Sequence, residues 1–174
     1  MFDKFVPDIY EKSIYTIDYK KLKKRGIKCL IFDLDNTIAP TNLKKPNKKI
    51  KDLFEELKDM KFKIIIMSNE IKKRIEPFKD ILGIDSAYFS MKPLKRKYKK
   101  ILKLYNFKDT EIACIGDQLV TDILGANRMG FTSVLVNPIS TSEFVTTRIS
   151  RFFENIIIKY LTKGKLLKRG KYYD

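Results

Sequence analysis

A chain of 174 residues is long enough to bury one sizeable core and too short for two comfortable ones. Its 44% hydrophobic and 12% aromatic content excludes a disordered tail protein. Lys and Arg number 37 against 21 acids, and the net charge of +16 draws anionic partners: nucleic acid, an anionic membrane surface or a polyanionic substrate.

Residues 1–26 are amphipathic and mixed in charge, with apolar points at Phe2, Phe5, Val6, Ile9, Ile14 and Ile17. After Gly26, the run Ile27 to Phe32 reads as a buried strand ending at Asp33-Leu34-Asp35-Asn36-Thr37. A basic loop with Pro40 and Pro46 precedes a helical pattern through Ile50, Leu53, Phe54 and Leu57. The next strand, Lys63 to Met67, ends at Ser68-Asn69. Helical spacing from Ile71 to Leu82 leads to a short strand near Ala87-Tyr88-Phe89 and then to Lys92-Pro93. A helix from Leu94 to about Leu104 follows, and then a strand Glu111–Ile115 ending at Gly116-Asp117. A helix near Val120–Asn127 and a strand Ser133–Val136 complete the alternation. Strands alternating with helices imply an α/β fold, a Rossmann-like doubly wound parallel sheet covered on both faces.

The chemistry available is restricted. Without histidine, zinc-hydrolase and Ser-His mechanisms are out of reach, so any acid or base is a carboxylate, Lys, Tyr or Cys. Cys29 and Cys114 each lie in an apolar run, which suits buried thiols in a reducing compartment. No apolar stretch has signal-peptide or membrane-spanning character, so the expected location is cytoplasmic.

Four polar signals each fall just after an expected strand: Asp33 with Asp35, Ser68, Lys92 and Asp117. In a doubly wound sheet such positions converge at one rim, where ligands bind. An isolated D-x-D-x-T also serves as an Asx turn closing a strand, and a lone Lys92 as a solvated surface residue. Four in order, each at its own strand end, point to catalysis. Asp122 reads either as a cap of the helix after Asp117 or as part of the site, Asn69 as a site residue or an N-cap, and Thr37 as a site or structural hydroxyl.

The set Asp33-Leu34-Asp35-Asn36-Thr37, Ser68, Lys92 and Gly116-Asp117 with Asp122 resembles the four motifs of the haloacid dehalogenase (HAD) superfamily. The resemblance implies a Mg²⁺-dependent phosphomonoester hydrolase in which Asp33 attacks phosphorus and becomes an aspartyl-phosphate. It gives Asp35 the role of acid and then base. It implies Mg²⁺ held by Asp33, Asp117 and the backbone carbonyl of Asp35. Ser68 and Asn69 would then hold phosphoryl oxygens, Lys92 would neutralise their charge, and Asp122 and Thr37 would support the site from behind.

Only 32 residues separate Asp35 from Ser68 and 23 separate Ser68 from Lys92, and the strand-helix framework uses most of both. No cap domain is therefore expected, and an open site suits a large substrate. One domain over 1–174 is expected, with the N-terminal segment and a basic C-terminal helix attached. That helix is marked by Phe144-Val145, Ile149, Phe152-Phe153, Ile156-Ile157 and Tyr160-Leu161, followed by Lys163, Lys165, Lys168, Arg169 and Lys171. Its stripe and basic tail suit an anionic membrane at the inner face, or packing against the domain.

The flanks, Phe5-Val6-Pro7-Asp8-Ile9-Tyr10, Lys24-Arg25-Gly26-Ile27 and Thr146-Thr147-Arg148-Ile149, resemble the YqeG-like capless phosphatases of subclass IIIA. That branch includes phosphatidylglycerophosphatases, which implies a lipid headgroup as substrate. Two other functions stay open from the residues. One is a phosphatase of nucleotides or nucleic acid ends; the other is a non-catalytic RNA- or ribosome-associated protein on the same scaffold. Oligomeric state leaves no mark in the residues.

Overall fold

The computed structural model describes residues 3–140 and 145–174, with side chains from 154 onward in the second stretch. Six parallel strands make one sheet: β1 (Ile9–Glu11), β2 (Cys29–Phe32), β3 (Lys63–Met67), β4 (Asp85–Ala87), β5 (Ile112–Gly116) and β6 (Thr132–Val136), in the order β1-β6-β5-β2-β3-β4. The helices are α1 (Tyr19–Lys24), α2 (Lys48–Asp59), α3 (Lys72–Leu82), α4 (Lys95–Tyr105), α5 (Leu124–Met129) and α6 (Val145–Lys163). Only α2 lies between β2 and β3, and only α3 between β3 and β4, so no cap domain is present at either point.

Alternation along the strands assigns the two faces. Leu30, Phe32, Ile64, Ile66 and Ile115 pack with Ile50, Phe54 and Leu57 of α2 and Ile75, Phe78 and Leu82 of α3. Cys29, Ile31, Ile65, Met67 and Cys114 pack on the opposite side with Tyr98 and Ile101 of α4 and Ala126 of α5. Burial on both faces is what continuous apolar runs in parallel strands produce. Both thiols are free and buried, and burial pushes Cys29 up to about 12 and Cys114 well above its ordinary value. They are core residues.

A third cluster closes the β1 end, where Tyr10, Leu119, Ile123 and Leu135 meet Ile157, Leu161 and Leu167. From Glu154 on, Ile157 and Leu161 of the α6 stripe are buried against the body, while Ile156 and Tyr160 stay exposed. The side chains of Val145, Ile149, Phe152 and Phe153, part of the same expected stripe, lie outside what the structure describes, as do residues Phe2 and Phe144 and the side chains of the Thr146–Ile149 motif. Among the described residues, no helix is long and apolar enough to cross a membrane.

Three local differences from expectation have physical causes. The N-terminal segment contributes a strand, β1, paired with β6 from Ile9↔Val134 to Glu11↔Val136. The strand expected at 87–89 ends at Ala87, because Phe89 and Met91 take left-handed backbone (φ 46° and 53°), which no strand accommodates. The helix expected from Val120 opens as a π-turn, Leu119–Ile123, before α5. Both Asp122 N–H and Ile123 N–H donate to the Gln118 carbonyl, and the extra residue in that turn sets the direction of Asp122.

Candidate active site

Sheet register brings the strand ends level. Phe32 pairs with Ile66 on one side and Ile115 on the other, so Asp33 leaves the sheet beside Met67 and Gly116. The chain builds outward from β2 to β3 and β4 in one direction and to β5 and β6 in the other. The switch point falls between β2 and β5, where a doubly wound sheet opens a crevice. Asp33 and Asp117 emerge at that crevice.

Lys92 is the centre of the site. Its side chain is only 4% exposed, and its Nζ lies 2.5 Å from Asp33 Oδ1 and 2.6 Å from Asp122 Oδ1. Asp122 Oδ2 accepts from the Gln118 N–H at 3.2 Å, so both oxygens of that carboxylate are engaged. A side chain at Gly116 would overlap the Asp122 carboxyl, so the strand end must be glycine for Asp122 to reach the lysine. Thr37 Oγ1 donates to Asp117 Oδ1 at 3.2 Å. Ser68 is buried; its Oγ accepts from the Glu70 N–H at 3.2 Å, leaving its own hydroxyl proton to be directed elsewhere.

Asn69 was expected at a phosphoryl oxygen or as an N-cap. Its carboxamide instead brackets the backbone of Lys92: Oδ1 accepts from Lys92 N–H at 2.8 Å, and Nδ2 donates to the Lys92 carbonyl at 3.4 Å. The N-cap position of α3 belongs to Ile71. Asp35 stands apart from the Lys92 cluster. Its Oδ1 accepts from Arg74 Nη2 at 2.7 Å and Nε at 3.1 Å, while its Oδ2 is buried without a protein partner. Arg74 is anchored in turn by donating to the carbonyls of Leu43 at 2.7 Å and Pro40 at 3.4 Å. Sequence reasoning missed Arg74. The available signal was an arginine after two lysines at the start of α3, since a planar fork rather than a point charge suits a carboxylate contact.

Charge balance decides what else the site can hold. Burial pushes the Asp33 carboxyl up to about 7, Lys92 opposes the rise, and the neighbouring Asp122 adds to it. Burial works against the Lys92 ammonium as well, but Asp122 and Asp33 outweigh it and hold its pKa above the ordinary lysine value. The ammonium is therefore charged and shared, and Asp33 is the carboxylate left short of positive charge. Asp33, Asp117 and Asp122 can each place a carboxylate oxygen within 4.8 Å of the others. An all-oxygen donor set of three carboxylates with one ammonium among them is still short of positive charge and fits a hard divalent cation such as Mg²⁺. With both oxygens of Asp122 already bonded, Asp33 and Asp117 are the carboxylates best placed to hold it. The Asp35 side chain is not in that group, which leaves its backbone carbonyl as its means of contributing.

The fold and the arrangement of acids around a buried lysine define a phosphatase of the HAD type without a cap, a hydrolase of phosphoric monoesters. Within that class the chain belongs to the family described as mitochondrial PGP phosphatase, whose model matches residues 2–140. A relative from Bacillus subtilis (strain 168), described as "Probable phosphatase YqeG", is 35% identical over 159 residues, covering 91% of this chain and 92% of that protein. Phosphatidylglycerophosphate phosphatase 1 of Arabidopsis thaliana is 26% identical over 176 residues; the match covers 91% of this chain and 49% of that protein, so the chain spans about half its length. Two solved structures share the fold. The cobalt-bound deoxy-D-mannose-octulosonate 8-phosphate phosphatase of Haemophilus influenzae aligns with TM-score 0.56 at 16% identity, over 84% of this chain and 95% of that one. The Moraxella catarrhalis 3-deoxy-D-manno-octulosonate 8-phosphate phosphatase, in complex with magnesium, phosphate and KDO, aligns with TM-score 0.53 at 20% identity, over 82% and 92%.

Proposed function

We propose that the protein hydrolyses a lipid phosphate monoester, phosphatidylglycerophosphate, to phosphatidylglycerol, with Asp33 as nucleophile and Mg²⁺ as cofactor. The observation that carries the reading is the buried Lys92 ammonium between Asp33 and Asp122 at an uncapped switch point. Asp33 attacks phosphorus and the alcohol departs, leaving an aspartyl-phosphate that water then cleaves. Lys92 lies against the attacking oxygen, where it offsets charge on the phosphoryl group in both displacements. Asp122 and Asn69 hold that lysine from its ammonium and its backbone.

Asp35, gripped through one oxygen by Arg74, presents Oδ2 to protonate the leaving oxygen and then to accept a proton from water. The Ser68 hydroxyl donates to the phosphoryl group. Mg²⁺, held by Asp33, Asp117 and the Asp35 carbonyl, would supply Lewis-acid stabilisation of the phosphoryl oxygens. The open rim favours a substrate presented by a surface over a small metabolite, and the likeness to the Arabidopsis enzyme supports the same choice.

The test is phosphate release from phosphatidylglycerophosphate in mixed micelles beside nucleotides, sugar phosphates and phosphopeptides. The lipid should be the preferred substrate, chelation should stop turnover and Mg²⁺ restore it. Asp33→Asn should reduce turnover about a thousandfold or more with an unchanged circular dichroism spectrum. Retention of about a tenth of the activity by that variant would remove Asp33 as nucleophile, and preference for nucleotides would replace the lipid assignment.

A further inference from the structure

Apolar side chains crowd the loop that carries Lys92. Of thirteen large hydrophobic residues exposed among those described, four fall within the seven residues 88–94: Tyr88, Phe89, Met91 and Leu94. Phe89 is 54% exposed, Met91 62% and Leu94 48%. The segment is not loose. Phe89 N–H donates to the Glu70 carbonyl at 3.1 Å, Ser90 N–H to the Ser68 carbonyl at 3.1 Å, and Leu94 N–H to the Met91 carbonyl at 2.9 Å. Polar backbone is thus satisfied inward while the side chains stand outward. Left-handed backbone at a bulky residue is uncommon and costs free energy, and here two exposed residues of this kind, Phe89 and Met91, adopt it.

The same surface is basic. From Lys92 to Lys108 the sequence carries eight Lys or Arg and no acid. Phe89, Met91 and Leu94, with Arg96, Lys97 and Lys100, line a groove of about 420 Å³. Apolar side chains ringed by cations match an anionic bilayer, which offers a phosphate plane above hydrocarbon. A second copy fits poorly, since it would bring one basic patch against another. The placement matters as well: Lys92, whose ammonium reaches Asp33, belongs to this loop.

We propose that the loop between β4 and α4 is the surface by which the protein docks on an anionic lipid bilayer. Phe89, Met91 and Leu94 enter the interface, and Arg96, Lys97 and Lys100 meet lipid phosphates. The docked protein then faces its catalytic rim toward the membrane, so a headgroup phosphate reaches Asp33 without leaving the bilayer. This rests on the lipid-phosphate reading given above, and it replaces α6 as the membrane-facing element.

Vesicle binding tests it without turnover. Vesicles of phosphatidylcholine with and without phosphatidylglycerol are sedimented with the full chain and with two variants. Phe89→Asn/Met91→Asn/Leu94→Ser removes the apolar side chains, using asparagine where left-handed backbone must be kept. Arg96→Gln/Lys97→Gln/Lys100→Gln removes the charges. The first should lose about tenfold or more in partitioning. The second should lose about a hundredfold on anionic vesicles, given roughly fivefold per basic residue. Hydrolysis of a soluble aryl phosphate should stay unchanged in both. Because the chain has no tryptophan, Leu94→Trp adds a single reporter, whose emission should shift to the blue with anionic vesicles even if the triple variants fold poorly.

Binding by both variants equal to the parent's overturns the proposal, as does unmoved tryptophan emission from the Leu94→Trp variant while that protein is vesicle-bound. So does salt-dependent binding of RNA with no binding of vesicles. Docking through the loop by a protein that does not hydrolyse the lipid phosphate would sink the substrate reading and leave this one standing. Hydrolysis of that lipid in micelles with no vesicle binding would do the reverse.

Discussion

Arg74 fixes one oxygen of Asp35 with two donors and directs two more to the carbonyls of Leu43 and Pro40, so it positions the carboxylate rather than merely neutralising it. If Asp35 is the proton donor as proposed, Arg74→Met should lower turnover about a hundredfold, since small misplacements of such a group carry losses of that size. The loss should be larger for alkyl phosphates than for aryl phosphates with good leaving groups, which need no proton; equal losses across the series would make Arg74 a folding residue only. Asp33 offers a second residue-scale test. Its carboxyl, pushed up to about 7, holds a proton in the folded chain that the unfolded chain releases above about 4. That contribution to stability is present in acid and is lost as pH rises through about 7. In metal-free buffer Asp33→Asn should therefore gain in melting temperature relative to the parent between about pH 5 and about pH 8, and a constant difference would mean that Asp33 is ionised throughout. The motif residues were legible because strand ends in this fold class must converge. Arg74 was not, because 39 residues separate it from Asp35 and its neighbours are ordinary surface lysines. Phe89 and Met91 left no trace either, since neither residue type signals left-handed backbone.

At the scale of elements, the strands with four or five consecutive buried residues, β2, β3, β5 and β6, could be read directly, while β1 could not. Three residues, Ile9–Glu11, are too few for a period, and β1 forms only because β6 offers it an edge. The π-turn was equally hidden, for its cause is tertiary. Leu119 and Ile123 are buried against α6, and the Glu154 carboxylate accepts from the Leu119 N–H at the start of the turn. Helix α6 thus braces the turn that aims Asp122 at Lys92. Leu161, 1% exposed, is the residue through which that brace can be tested. Leu161→Ala should cost about 3 kcal/mol, read from the urea midpoint at unchanged slope. A cost below about 1 kcal/mol would mean that α6 contributes little to this end of the sheet.

For the whole molecule, the question is how +16 charges divide between holding the fold, keeping the protein dispersed and meeting a partner. The basic tail after α6 reads in sequence as a membrane tether whose removal would spare soluble activity. The structure gives it different work. Tyr10 N–H donates to the Tyr173 carbonyl at 2.7 Å and Tyr173 N–H returns to the Tyr10 carbonyl at 2.9 Å, closing the free edge of β1. Tyr173 OH donates to the Pro7 carbonyl at 3.0 Å, and Leu167 is buried in the third cluster. Deleting residues 163–174 would expose Leu167's site and free these hydrogen bonds, a loss of about 5 kcal/mol at roughly 2 for the side chain and 1 for each of the three bonds. That should lower the melting temperature by about 10 °C. Aryl phosphate turnover should survive at low temperature and fail earlier on warming. Vesicle binding, measured below the new melting point, should fall far less than in the variants of the β4–α4 loop, because most of the positive charge and all of the exposed loop remain. A truncated protein that melts with the parent yet no longer binds anionic vesicles would return the tail to the role of tether.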